Sequence, residues 1–309
     1  MKTPVAFIIF KRPETTIKVF EAIRQAKPPQ LFVIADGAHI DNIDEIKRCE
    51  NTRAIIERVD WDCEVFKNYS DNNLGCAKRV SSGLDWVFNH VEEAIILEDD
   101  CLPHPTFFPF CEQLLTRYKN DTRIASISGQ NVQFGRNTTQ YSYYFSRYNH
   151  CWGWASWRRA WRHFDFEMKL WREVKENNLL REILENSAAT STWSKIFDAA
   201  YEGKLDSWAT RWTLACWLQR SMGILPNVNL ISNIGFGVEG THSLDTKSKY
   251  ANIPAMEMIF PLKHPPYFIR NWQADKFTEE TLYKPNVFMP FKAKIKKTLS
   301  KVKKYTGIY

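Results

Sequence analysis

The sequence lacks several features that would define its class at once. It has no run of about 18 consecutive apolar residues, the length that a membrane-spanning helix needs, and its first 16 residues hold too short an apolar run for a secretory signal. Its seven cysteines include no C-x-x-C pair. This disfavours a disulfide framework or a zinc knuckle and favours a reducing compartment. We therefore expect a cytoplasmic protein.

Positive charge is also scarce outside one segment. The formal net charge is +7, but much of the excess lies in residues 291–305, "FKAKIKKTLSKVKKY". Charges elsewhere are nearly balanced, so the sequence does not indicate a nucleic-acid groove, and we expect no nucleic-acid partner.

The basic C-terminal tail, residues 291–309, allows two interpretations. Ile295, Leu299 and Val302 recur at four- and three-residue spacing, so a helix would carry them on one face between lysines. The tail is then either a solvated terminal helix or an interfacial helix that docks on an anionic membrane surface. In the second case the protein is peripheral at the inner membrane face.

Strand and helix patterns alternate in the first third of the chain. Alternation of this kind predicts an α/β fold with a mostly parallel central sheet flanked by helices, in which ligands bind at the carboxyl ends of the strands. The predicted strands are 5–10, 31–36, 63–68 and 94–99, and the predicted helices are 15–26, 41–58 and 75–90.

The rest of the chain changes character. Further strands are predicted at 123–132 and 143–146, and residues 156–218 indicate a Trp-rich helical region. Residues 223–243 return to strand and glycine-rich loop, and 250–290 carry six prolines and should wrap the surface. We expect one domain, residues 1–290, with a nucleotide-sugar-binding half (1–130), an acceptor-side half (131–290) and the tail.

Charged groups follow the predicted strands. Lys11-Arg12 comes after the first, Asp36-Gly37 after the second, and Glu98-Asp99-Asp100 after the fourth, in "AIILEDDCLP". Each feature alone is also typical of a solvated strand end or a turn. On one edge of a sheet, however, cations suit phosphates and carboxylates suit a divalent cation that a diphosphate would share. Together they predict a nucleoside-diphosphate site.

The segment "LEDD" at the end of an apolar strand resembles the D-x-D-type metal motif of GT-A glycosyltransferases. "PVAFIIFKRPETTIKVFEAI", "VIADGA", "EDDCLPHPTFFPF", "YNHCWGWASWRRAW" and "NLISNIGFGVEGTHS" extend the resemblance along most of the chain. They are similar to segments of bacterial family 2-like members and of N-acetylglucosaminyltransferase I. The resemblance implies an α/β GT-A fold, a nucleotide-sugar donor that is UDP-linked, and a Trp-rich acceptor side.

The resemblance also implies roles for individual residues. Asp100 would ligate Mn²⁺ or Mg²⁺ at the diphosphate, with His242 as a further metal or phosphate contact; a surface histidine is the equal alternative for His242. The donor would be bound by a larger set, namely Lys11, Arg12, Asp36, Glu98, Asp99 and Trp154.

The position of the catalytic base is unusual. Inverting transfer needs a base for the acceptor hydroxyl, and "KLDSWATRWTLACW" resembles the W-D-x-x-W segment that supplies it. Trp208 and Trp212 match, but position 209 is alanine. Three interpretations stay open: the chain is a deliberately inactivated variant, it is a natural non-catalytic homologue, or Asp206 is the base.

We therefore expect a metal-dependent, inverting glycosyltransferase that acts on a cell-surface glycan or lipid-linked acceptor. A sugar-phosphate nucleotidyltransferase is the alternative enzyme, but its glycine-rich loop after the first strand is missing from "FKRPETT". A non-catalytic sugar- or lipid-binding homologue is the alternative from another class.

Overall fold

The computed structural model describes residues 1–236 and 251–283. The predictions for His242 and for the tail at 291–309 lie outside these residues. Within the two described ranges, no helix has the length and apolar character needed to cross a membrane. All seven cysteines are free.

An eight-stranded sheet organises the chain, in the order β3-β2-β1-β4-β8-β6-β9-β7. The pairs β1–β2, β2–β3, β1–β4 and β6–β9 are parallel, and β8 and β7 run antiparallel to their neighbours. A separate short ribbon pairs β5 with β10. The strands are β1 Val5–Ile9, β2 Gln30–Ala35, β3 Glu64–Tyr69, β4 Glu93–Glu98, β5 Cys101–Pro103, β6 Ile124–Ser128, β7 Tyr143–Ser146, β8 Trp154–Trp157, β9 Met222–Pro226 and β10 Ile231–Asn233.

Helices cover both faces of the sheet. A 3-10 turn at Ile55–Arg58 continues the second of them. The α-helices are α1 Pro13–Ala26, α2 Ile43–Ala54, α3 Cys76–His90, α4 Phe107–Arg117, α5 Arg158–Trp161, α6 Trp171–Glu176, α7 Leu180–Leu184, α8 Ser187–Tyr201, α9 Trp208–Leu218 and α10 Trp272–Leu282.

Strand β1 shows why the sheet is central. Val5, Phe7 and Ile9 belong to one apolar cluster with α1 and α4, while Ala6 and Ile8 belong to the cluster that holds α3 and α9. Because successive side chains point to opposite faces, a strand that is apolar throughout must be covered on both sides. The predicted fold class, an α/β sheet flanked by helices, is confirmed.

Two local expectations need correction. The Trp-rich segment begins with a strand, because Trp154–Trp157 inserts antiparallel between β4 and β6; from Arg158 onward it is helical, as predicted. The segment 250–290 also contains a helix, α10, which Asn271 caps by accepting a hydrogen bond from the backbone N–H of Ala274. The eight-stranded sheet takes strands from both predicted halves, 1–130 and 131–290.

Candidate functional site

The strand order reverses between β1 and β4, and the carboxyl-end edge of the sheet at this point is called the crevice below. The chain runs outward through β1, β2 and β3 and then crosses back to add β4 on the other side of β1. In parallel α/β sheets, ligands bind outside the carboxyl ends of the strands where the order reverses in this way. Arg12 follows β1, and Asp99 and Asp100 follow β4, so the topology brings these groups to that crevice.

Arg12 joins the two ends. Its Nη1 donates to Asp100 Oδ2 at 2.9 Å, and its Nη2 donates to Asp99 Oδ1. The other oxygen of Asp99 accepts the backbone N–H of Phe10 at 3.2 Å. Among the described residues, the second oxygen of Asp100 accepts only the Cys101 thiol, at 3.4 Å, which is a weak donor. Asp99 is therefore firmly held, and Asp100 is less so.

Negative charge exceeds positive charge here. Burial, together with the carboxylates of Asp100 and Asp99, raises the pKa of Glu98 to about 8, although Arg12 and the Trp208 indole lower it. Burial also raises the pKa of Asp99 to about 6 against the lowering effect of Arg12. For Arg12, burial lowers the pKa, but the two aspartates outweigh it and hold the pKa above its ordinary value. In residues 1–236 and 251–283, the Arg12 guanidinium is the one cation beside these three carboxylates, so a further cation would be favourable.

The segment after β10 covers this ion pair. The backbone N–H of Ile234 donates to the Asp100 carbonyl at 2.8 Å. A Cβ at Gly235 would collide with Asp100 Oδ2 and would lie 2.6 Å from Arg12 Nη1. Glycine is thus required for the backbone to approach so closely. The glycine-rich loop predicted within residues 223–243 is therefore in close contact, at Gly235, with the predicted metal ligand Asp100.

The acidic triplet, Glu98-Asp99-Asp100, has the negative charge that a divalent cation needs, but it does not supply a complete set of metal ligands. Within 1–236 and 251–283, no three His, Cys, Asp or Glu side chains form a group that could hold a metal ion. Mg²⁺ in phosphate-binding sites takes only one or two carboxylates and completes its coordination with phosphate oxygens and water. Asp100, with its weakly bonded oxygen, fits that pattern.

Two other predicted donor residues have structural partners. Lys11 turns away from the acids and pairs with Glu45 at 2.5 Å in α2. Asp36 accepts the backbone N–H groups of Gly37, Leu74 and Gly75 at 2.9 to 3.1 Å. Asp36 therefore joins the loop after β2 to the loop after β3. Whether either residue also contacts a nucleotide stays a prediction.

The predicted base segment lies at the same edge of the sheet. Trp208 reaches Glu98, and Ala209 is half-buried at the start of α9. Asp206 is exposed, but its two oxygens accept the N–H groups of Cys76 and Ala77 at 2.9 and 2.8 Å. It caps α3 and ties α9 to it. Neither residue's catalytic role is tested by this geometry.

Trp154 lies in the core. Its side chain is 1% exposed and stacks on Trp208, with ring centroids 5.4 Å apart. Trp161 and Trp212 complete the cluster. A direct donor contact through the Trp154 ring, as predicted, would require this cluster to open. Through Trp208, the cluster supports the wall of the acidic crevice.

Sequence analysis missed two residues that shape this edge. Arg79, a buried residue of α3, donates to the carbonyls of Ala35 and Asn68 at the ends of β2 and β3. Glu45 holds both Lys11 and His39. The sequence gives no signal for either residue, because a charged residue inside an amphipathic helix pattern is ordinarily interpreted as solvent-facing.

No family model matches the chain, and no curated protein matches it. Solved structures resemble it weakly. TarS 1–349 of S. aureus is 10% identical, with a TM-score of 0.40, covering 75% of this chain and 59% of its own length. An apo UDP-glucose pyrophosphorylase is 9% identical, with a TM-score of 0.35, covering 74% of this chain and 93% of its own length. A cytidylyltransferase from Leptospira borgpetersenii is 13% identical, with a TM-score of 0.32, covering 58% of this chain and 73% of its own length. Similarity at this level assigns no reaction, so the functional case depends on the residues.

Proposed function

We propose that this protein is a metal-dependent, inverting glycosyltransferase that uses a nucleotide-sugar donor, UDP-linked, and a glycan or lipid-linked acceptor. The observation that carries the proposal is the meeting of Arg12 with Asp99 and Asp100 at the crevice between β1 and β4. A diphosphate needs cations, and a hard divalent cation needs carboxylate oxygens. Both kinds of group converge where an α/β sheet binds ligands.

The residues divide into roles on this proposal. Asp100, with Mn²⁺ or Mg²⁺ bound, would hold the diphosphate; the cation would neutralise the charge that develops on the leaving group. Glu98 and Asp99 would face the ribose and the sugar, and Arg12 would bind a phosphate. The acceptor would enter from the side of α9, where Trp208 lies beside Glu98.

A non-catalytic homologue is the second candidate, and Ala209 is the observation that favours it. Alanine cannot accept the acceptor proton, while Asp206 already accepts two backbone hydrogen bonds. On our proposal the parent chain binds its donor but turns it over very slowly. A nucleotidyltransferase needs no such base, but the β1–α1 turn Phe10–Pro13 contains no glycine for its phosphate loop.

Restoring a base at position 209 tests the proposal. Position 209 is the second residue of α9, where an aspartate is favoured by the helix dipole, so the variant should fold. We expect Ala209→Asp to raise sugar transfer by about 10² or more with little change in donor affinity. Donors for the assay are those UDP-sugars that raise the melting temperature with Mn²⁺ present.

Ala209→Asn is the matched control, because it has the same shape but cannot take the proton. Equal rates for the Asp and Asn variants would contradict a base at 209. If Asp206→Asn silences residual transfer by the parent, Asp206 is the base. Absence of transfer by every variant, with donor binding retained, would favour the non-catalytic homologue.

The membrane partner remains part of the proposal. It depends on the sequence pattern of the tail at 291–309, whose lysines would each contribute about 1 kcal/mol near an anionic surface.

A further inference from the structure

We propose that Arg12 is an internal counter-ion that occupies the cation position beside Asp100 in the free protein and is handed over to the donor diphosphate when a divalent cation binds. This inference rests on the proposed function and deepens it. It makes Arg12 the residue that couples metal binding to nucleotide binding.

The two arms of Arg12 are not equivalent. Asp99 has a side chain 3% exposed and a second donor in the Phe10 N–H. Asp100 is 12% exposed, and among the residues that the structure describes its side chain accepts, beyond Arg12, only the Cys101 thiol. Asp100 is the more exposed of the two aspartates and has the weaker second donor, so the bond from Arg12 to Asp100 is the one that a cation can replace.

The charges make this exchange favourable in one direction. Arg12 and a divalent cation cannot both lie against Asp100 without repelling each other. The ion pair from Arg12 to Asp100 therefore weakens cation binding, and a bound cation weakens that ion pair. A guanidinium released from a carboxylate binds a phosphate oxygen well, often through two hydrogen bonds. Metal alone must therefore displace Arg12 without compensation, whereas metal with a diphosphate gives Arg12 a new partner.

Positive coupling between metal and nucleotide follows. Such coupling is commonly in the range of 5- to 150-fold in affinity, and it is reciprocal. Gly235 lies over the ion pair, where a Cβ would collide with Asp100 Oδ2 and Arg12 Nη1.

The test is to titrate Mn²⁺ and UDP, separately and together, by calorimetry. Arg12→Met keeps much of the length of the side chain and removes the charge. We expect it to bind Mn²⁺ alone about tenfold more tightly than the parent and to lose most of the coupling with UDP. Arg24→Met is the matched control, because Arg24 lies in the last turn of α1 and pairs with Asp60; it should leave Mn²⁺ binding unchanged.

Arg12→Lys is a second variant that tests the same point if the methionine variant folds poorly. A lysine cannot bridge both aspartates as the planar guanidinium does, so Mn²⁺ alone should bind more tightly than in the parent, by a smaller factor. Unchanged or weaker Mn²⁺ binding in both Arg12 variants, with Mn²⁺–UDP binding intact in the parent, would overturn the hand-over alone. No Mn²⁺-dependent UDP binding in the parent would overturn the proposed function as well.

Discussion

Two groups of carboxylates lie at the same edge of the sheet and differ in the partners that their oxygens have. Asp36 and Asp206 direct their oxygens to backbone N–H groups and hold loops and helices together. Asp99 and Asp100 share the guanidinium of Arg12, which also acts electrostatically on Glu98. Burial still raises the pKa of Asp36 on balance, although its backbone hydrogen bonds lower it. The carboxylates of the second group outnumber the cations near them among the described residues. The comparison teaches that electrostatic destabilisation is concentrated at the place where a bound cation would relieve it.

The largest expected effect on stability is that of Asp36→Ala. It would leave the N–H groups of Gly37, Leu74 and Gly75 without their acceptor in a buried place. We expect a loss of about 3 kcal/mol in the free energy of unfolding, measured by urea denaturation. Asp36→Asn retains one carbonyl oxygen and should lose less. A loss under about 0.5 kcal/mol for Asp36→Ala would remove the contrast between the two groups.

Glu98→Gln should have a smaller effect of the opposite sign. The folded-state pKa of Glu98 is raised from 4.5 to about 8, so its ionised form is less favourable in the folded than in the unfolded protein. This cost is absent below pH 4.5 and complete above pH 8. The variant should therefore gain stability over the parent as the pH rises through that window, by on the order of 1 kcal/mol.

Thermal unfolding of parent and Glu98→Gln across this pH window checks the sign. Glu112→Gln is the control, because its carboxylate accepts the backbone N–H groups of Lys2 and Thr3 and its loss should not stabilise the protein. A Glu98→Gln variant that is less stable at high pH would mean that the triplet is not short of positive charge.

The sequence predicted the first four strands well because their apolar runs end abruptly in charged or turn residues. It also predicted that Arg12 and Asp100 share an edge, since the carboxyl ends of parallel strands must meet there. It could not predict that Arg12 pairs with Asp99 and Asp100 while Lys11 pairs with Glu45. Adjacent cations in a turn have no periodicity that assigns the direction of their side chains.

Long-range partners escaped for a related reason. Asp206 caps a helix that starts 130 residues earlier, and no local pattern records such a contact. The strand at Trp154–Trp157 was hidden because four buried residues in a row are consistent with either a strand or a helix. Helix α10 was missed because nearby prolines dominated the interpretation of its segment, although Asn271 is a good cap residue.

The central claim is that Asp100 binds the cation that a nucleotide diphosphate shares. Calorimetry of UDP binding to the parent and to Asp100→Ala, with and without Mn²⁺, tests it most directly, with Asp121→Ala as a control from the salt bridge to Arg123. We predict that Mn²⁺ strengthens UDP binding to the parent and to the control by about tenfold or more, and that Asp100→Ala abolishes this gain. An equal gain in Asp100→Ala would contradict the assignment of the site.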